Sequence, residues 1–225
     1  MEDMKHNAKD MPSSELMGRM FTASPVDLCP RITALQSKRI FDFWEEWESE
    51  SAKMQDVPFW AVVWPAAAVL ARFILENDHW VKGKRVLDLG CGSGVSSIAC
   101  VMAGAAHVKA NDIDPFALEM TSRNAALNGV NLELNGVNLL GGNEVCKADT
   151  VLAADMFYSE RQSIQLLDFL KKMQAGGSQI IIADAGRPFA PKDGAKLLWS
   201  QTVDVDREIE GVFERLVNII TIDIP

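Results

Sequence analysis

The sequence predicts an α/β fold: a mostly parallel, seven-stranded sheet with helices on both faces and an antiparallel hairpin at its C-terminal end. Three observations lead there. From residue 84 onward, short apolar runs alternate with helical patterns, and such repeated units imply parallel strands with right-handed crossovers. The run 179–183 is apolar almost throughout, as a strand covered on both faces requires. The tail alternates loosely at period two on either side of a turn.

Taken in order, residues 1–24 mix Met, Ser and charges without periodicity and read as a flexible N-terminal arm. Residues 25–225 are then expected to form one domain. Ile40, Phe41, Trp44 and Trp47 recur at helical spacing with glutamates between them. Pro58 to Pro65 is a stiff aromatic stretch, and Pro65 stands at the favoured first position of a helix over 66–75. A strand over 84–89 leads into a helix over 95–102 that Gly104 stops. A second strand covers 107–111, and a second crossover helix over 115–127 ends at Asn128-Gly129. A weak third strand is expected at 132–134 and a fourth at 150–154. The helix over 162–173 stops at Gly176-Gly177, ahead of the fifth strand at 179–183. One more helix is expected at 192–200, then a hairpin of 202–209 and 215–222 about Glu210-Gly211.

Bulk properties narrow the function classes. With 225 residues, 48% of them hydrophobic and 24% charged, the chain can bury a core without staples. Its four cysteines are scattered, with neither a CxxC pair nor zinc-finger spacing, so free thiols and no metal centre are expected. The net charge of −9 argues against a sequence-independent grip on nucleic acid. No apolar run reaches the ~18 residues of a membrane helix. The acidic start has no signal core and makes a poor transit peptide, although organelle residence stays open. The expectation is a monomer in the cytoplasm or mitochondrial matrix, with neither nucleic acid nor membrane as a partner.

The chemistry begins at Asp88-Leu89-Gly90-Cys91-Gly92-Ser93-Gly94, which runs off a strand into a helix. Gly90, Gly92 and Gly94 let the backbone turn tightly and approach a ligand. A dinucleotide site wants G-x-G-x-x-G, but here the third glycine position is Val95. Asp88 would repel a pyrophosphate, yet it suits the ammonium of S-adenosylmethionine. About 20 residues on, the second strand ends Asn111-Asp112-Ile113-Asp114-Pro115, where ribose hydroxyls are read. Asp112 at the strand tip is the expected ribose ligand, and Asp114 suits a cap for the next helix. Asn138, after the third strand, is either an adenine contact or an Asn in an exposed turn.

The fourth strand ends Asp155-Met156-Phe157-Tyr158, and ligands of open parallel sheets bind at the carboxyl ends of strands. A carboxylate beside two aromatic rings suits an amine: Asp155 would hold it, and Phe157 or Tyr158 would offer a π face. The bland alternative is an N-cap Asp followed by core aromatics.

Here the sequence resembles the seven-strand (class I) lysine methyltransferases that carry an Asp-x-x-Tyr motif after strand four. Within that group it is similar to the electron transfer flavoprotein β-subunit lysine methyltransferase family. The likeness runs through Phe59 to Pro65, Val86 to Gly94, Ala110 to Pro115, Asp155 to Tyr158 and Asp184-Ala185-Gly186-Arg187-Pro188. It departs at Ala66-Ala67, where that family has Gly-Gly, at Ala185, where it has Pro, and at Asn138, where many relatives have Asp.

The resemblance implies a Rossmann-like class I methyltransferase fold, for which an antiparallel terminal hairpin is the usual ending. It implies S-adenosylmethionine as cofactor, S-adenosylhomocysteine as product, and Trp64, Asp88, Gly90, Gly92, Asp112, Asn138 and Asp155 around them. Asp155 and Tyr158 would face the target lysine. The implied activity is protein-lysine N-methylation, with the flavoprotein β subunit as a candidate acceptor. A small-molecule N-methyltransferase of nicotinamide type is the alternative on the same scaffold. A cofactor-binding subunit without chemistry is a third reading, and Asp155 with Tyr158 argues against it.

Overall fold

The computed structural model describes residues 11–141, 146–191 and 194–222. Its elements, in chain order, begin with α1 (Ser14–Met20), the hairpin of β1 (Phe21–Val26) and β2 (Cys29–Ser37), α2 (Ile40–Ser51) and α3 (Pro65–Glu76). Alternating units follow: β3 (Arg85–Leu89), α4 (Val95–Met102), β4 (His107–Asn111), α5 (Pro115–Leu127) and β5 (Glu133–Asn135). The remainder is β6 (Thr150–Ala154), α6 (Glu160–Ala175), β7 (Gln179–Asp184), β8 (Ala195–Asp204), the short α7 (Arg207–Glu210) and β9 (Glu214–Ile222).

Seven strands form one sheet in the order β5-β4-β3-β6-β7-β9-β8. Neighbours are parallel except that β9 runs antiparallel to both β7 and β8. This is the Rossmann-like arrangement with a terminal hairpin that the sequence predicts. Period two explains the layering. Val86, Leu152 and Ile181 face a core shared with Val69 of α3 and Ile98 of α4. Their neighbours Leu87, Val151 and Ile180 face the opposite core, where Leu166, Phe169 and Leu170 of α6 lie. The strand order reverses beside β3, so the crevice at its carboxyl end receives the ends of β4 and β6.

Two expectations need correction. Residues 14–24 are not a loose arm: Ser13 caps α1 by accepting the Leu16 N–H at 3.1 Å, and β1 follows directly. Leu16, Met17 and Phe21 bury themselves with Phe43, Trp47, Trp60 and Phe116 in a third cluster, and that burial is what orders the segment. Residues 1–10 of the expected arm lie outside the described residues. Of the helix expected over 192–200, residues 192 and 193 lie outside the described residues, and 195–204 is instead strand β8, paired with β9 along its length. The hairpin stands, but its first strand ends at Asp204, and 207–210 forms α7 within the connection.

The N-terminal hairpin is pinned to α5 by two asparagines. Asn124 accepts the Leu35 N–H at 2.7 Å, and Asn128 accepts the Thr33 N–H at 2.9 Å while donating to the Thr33 carbonyl. Among the described residues, no helix is long and apolar enough to cross a membrane.

Candidate active site

The glycine loop is held from below. Gly90 (φ +67°) and Gly94 (φ +80°) occupy left-handed backbone that glycine tolerates. A Cβ at Gly94 would come within 2.7 Å of Thr121 on α5. Thr121 itself donates its hydroxyl to the Gly92 carbonyl at 3.0 Å, and Asn124 donates to the Ser93 carbonyl at 2.8 Å. A Cβ at Gly92, in contrast, would meet nothing within 4 Å, so that face of the loop is open.

Asp88 lies under the loop, 1% exposed, and accepts the Ser97 hydroxyl of α4 at 2.6 Å. Burial lifts its carboxyl to about 7, against the pull of Ser97. Asp112 stands at the tip of β4. One of its oxygens takes the Gly92 N–H and the other the Asp114 N–H, each at 3.0 Å. Burial raises this carboxyl too, and the two N–H groups oppose the rise. Asp114 caps α5 through the Phe116 N–H at 2.8 Å, as expected of it. Asn138 is exposed and accepts the Leu140 N–H at 3.1 Å, which is the turn geometry weighed for it. Asn111, not singled out from the sequence, donates to the carbonyls of Asn135 and Val137 at 2.9 Å and so sets the segment leading to Asn138.

Across the crevice, Asp155 follows β6 in a left-handed conformation (φ +55°) uncommon outside glycine. It is not an N-cap, since Ser159 holds that position for α6. Its neighbour Met156 presses on the glycine loop: a Cβ at Gly90 would lie 2.7 Å from the Met156 sulfur. Phe157 is fully buried in the core, whereas Tyr158 is 53% exposed with its ring 6.1 Å from that of Phe59. Trp64 is half-buried, donates its indole N–H to the Phe59 carbonyl at 2.7 Å, and stands 5.7 Å from the Phe59 ring.

The structure adds one partner that sequence reasoning missed. Arg187 donates from Nε to Asp155 Oδ1 at 2.8 Å and lies over the Trp64 ring at 5.7 Å. The other Asp155 oxygen is 3.4 Å from the Ala66 N–H in the first turn of α3, where the helix dipole favours negative charge. Burial raises the Asp155 carboxyl, and Arg187 pulls it back. Asp184, at the end of β7, turns the chain toward Arg187 by accepting the N–H groups of Gly186 and Arg187 at 2.8 and 2.9 Å. The only advance signal was the run Asp184 to Pro188 itself, in which a basic residue follows a strand end.

A cavity of about 710 Å³ lies elsewhere, at the amino ends of the strands beside Arg85, Asp149 and Ser178; Leu140 borders it, but none of the candidate site residues does.

With this geometry in hand, residues 70–182 match the family model of ribosomal protein L11 methyltransferase (PrmA), just over half of the chain. This chain belongs to the PrmA family. The family match spans the glycine loop, Asp112 and Asp155, and stops short of Arg187. The electron transfer flavoprotein beta subunit lysine methyltransferase of Xenopus laevis is 40% identical over 148 residues, covering 65% of this chain and 59% of that protein. Its human counterpart is 40% identical over 151 residues, covering 65% and 55%. The chain thus spans less than two thirds of the length of these relatives. Among solved structures, the Pyrococcus abyssi tRNA (uracil-54, C5)-methyltransferase, in complex with S-adenosyl-L-homocysteine, superposes with a TM-score of 0.55 at 18% identity. It covers 89% of this chain and 44% of its own. At that identity the likeness concerns the fold.

Proposed function

We propose that this PrmA-family chain is an S-adenosylmethionine-dependent N-methyltransferase acting on a protein lysine, with the electron transfer flavoprotein β subunit as the first acceptor to test. The observation that carries this reading is the junction of two segments. Met156 packs on Gly90, so the carboxylate and aromatic rim of the acceptor segment lie directly beside the glycine loop.

The residues fit the cofactor. The open face of Gly92 leaves room for a ligand backed by the loop. Asp112 keeps lone pairs on both oxygens for ribose hydroxyls beyond the N–H groups it already accepts. Asn138 is the proposed adenine contact, and the half-buried Trp64 the proposed flat wall. Asp88, sealed under the loop by Ser97, serves as the loop's anchor and reaches the cofactor's ammonium only through the loop. When bound, S-adenosylmethionine supplies a methyl group on a positively charged sulfur.

The chain's own task is then positioning, which brings the reacting atoms to ~3–3.5 Å in a dry site. Phe59 and Tyr158 offer two exposed rings for a lysine stem. Asp155 orients the amine by accepting its N–H, and bulk water takes the departing proton.

The test is transfer of a labelled methyl group from the donor to purified flavoprotein β subunit, beside a cell lysate. Label on a lysine peptide is expected. Label appearing only in a small molecule would move the activity to the nicotinamide-type alternative. Asp155→Ala should bind the cofactor as before and lose transfer at least about a hundredfold; unchanged turnover would remove Asp155 from the mechanism.

A further inference from the structure

Four charged side chains from four parts of the chain meet behind the acceptor crevice: Asp155 after β6, Arg187 after β7, Glu210 of α7 and Arg215 of β9. Arg187 is held on every side. Its Nε bonds Asp155 at 2.8 Å, and its two terminal nitrogens grip the Glu210 carboxylate in a fork at 3.1 and 2.9 Å. Its backbone N–H is fixed by Asp184, and its guanidinium lies over Trp64. Arg215 donates to Glu210 as well, at 3.0 Å. The two carboxylates are buried, with 7% of Asp155 and 3% of Glu210 exposed, and the arginines are partly so, at 18% for Arg187 and 27% for Arg215. Bidentate, stacked arginines of this kind are costly to displace.

The charges within this group cancel in pairs. A lysine arriving at Asp155 therefore meets a carboxylate whose charge is already matched. Bringing an ammonium into a buried site without a free counter-charge is expensive. A neutral amine needs only one acceptor for an N–H and presents its lone pair. The remaining groups facing Asp155 are the first turn of α3 at Ala66 and the Asp184 carboxyl, which burial pushes toward its neutral form.

We infer that Arg187 is a positioning residue that keeps Asp155 paired, so that the crevice takes up its acceptor amine in the neutral, attacking form rather than as an ammonium ion. The inference rests on the lysine reading above. In the step itself the amine lone pair forms the N–C bond, the C–S electron pair stays on sulfur, and one N–H proton leaves to water.

The experiment is the pH profile of kcat, which reports the ionisations of the bound complex, for methyl transfer by the full chain to saturating flavoprotein β subunit. Arg187→Gln unmasks the Asp155 charge, favours ammonium and should move the acidic limb up by about one pH unit. Glu210→Gln leaves the Arg187 charge less shared and should move the limb down. Arg187→Lys should return most of the way to the wild type, and cofactor affinity should hold in all three. A purely structural role predicts an equal loss at every pH with no reversal of sign, and that result overturns the inference. Should Arg187→Gln fail to fold by circular dichroism, the direction of the Glu210→Gln shift decides alone.

If the wild type methylates no lysine, the functional reading fails, and Arg187 is judged by carboxyl-carbon NMR titration of Asp155, assigned with Asp155→Asn. Asp155 should titrate at least about one unit higher in Arg187→Gln than in the wild type. An unmoved titration overturns the inference by itself.

Discussion

Asp112 and Asp114 stand two residues apart and do different work. Asp112 gathers the N–H groups of Gly92 and Asp114, both at 3.0 Å, which fixes its carboxylate between the glycine loop and the start of α5. A charge-assisted hydrogen bond to ribose is worth about 1.5–3 kcal/mol. Asp112→Ala should therefore weaken S-adenosylmethionine binding by roughly tenfold or more in calorimetry. Equal affinity would show that ribose is held elsewhere. Asp155 differs again: its left-handed backbone and its guanidinium partner arise from contacts with β7 and the segment after it. The strand-end position of each acid was readable from the sequence. The partner of Asp155 was not, because Arg187 lies 32 residues away and only the pairing of β6 with β7 brings the two together.

At the scale of elements, α5 is the hub. Its N-terminus is capped by Asp114, its middle supports the glycine loop through Thr121 and Asn124, and its last turns hold the N-terminal hairpin. Asp114→Ala should cost about 1 kcal/mol and lower the melting temperature by roughly 2–4 °C. Cofactor affinity should stay within about twofold, since the cap lies outside the proposed ribose contact; a larger loss would bring Asp114 into the site. The elements 95–102, 107–111, 115–127 and 150–154 coincide with the spans that periodicity and stop signals predict. β8 was misread for a physical reason. A bulge between Leu197 and Trp199 breaks the alternation of a strand, and Ala195, Leu198 and Trp199 stand at helical spacing. α1 and β1 were missed because their seven and six residues are too short to show a period, and their order comes from burial against α2, Trp60 and Phe116.

For the whole molecule, buried acids set the pH response. Asp88 titrates near 7 in the folded chain and at its ordinary value of 3.8 when unfolded. The folded state therefore binds the extra proton between these values, and stability falls as pH rises through that window. Its contribution is complete below about pH 4 and lost above about pH 7. Burial raises Asp112, Asp155 and Asp184 as well, so their sign is the same. Asp88→Asn should flatten the melting temperature between pH 5 and pH 8, with the mutant gaining on the wild type at the alkaline end. A constant difference across that range would mean that Asp88 does not titrate there.

The sequence by itself determined the sheet-forming runs, the glycine loop from Asp88 to Gly94, and the strand-end acids Asp112 and Asp155. These are local signals, written in periodicity, in glycine's access to positive φ, and in the rule that strands present their carboxyl ends to ligands. Only the tertiary structure decided what those acids face. It buried Asp88 against Ser97, pressed Met156 onto Gly90, and set Arg187 and Glu210 behind Asp155. Burial and charge pairing depend on distances through space, and chain separations of 9, 66, 32 and 23 residues carry no local trace of them.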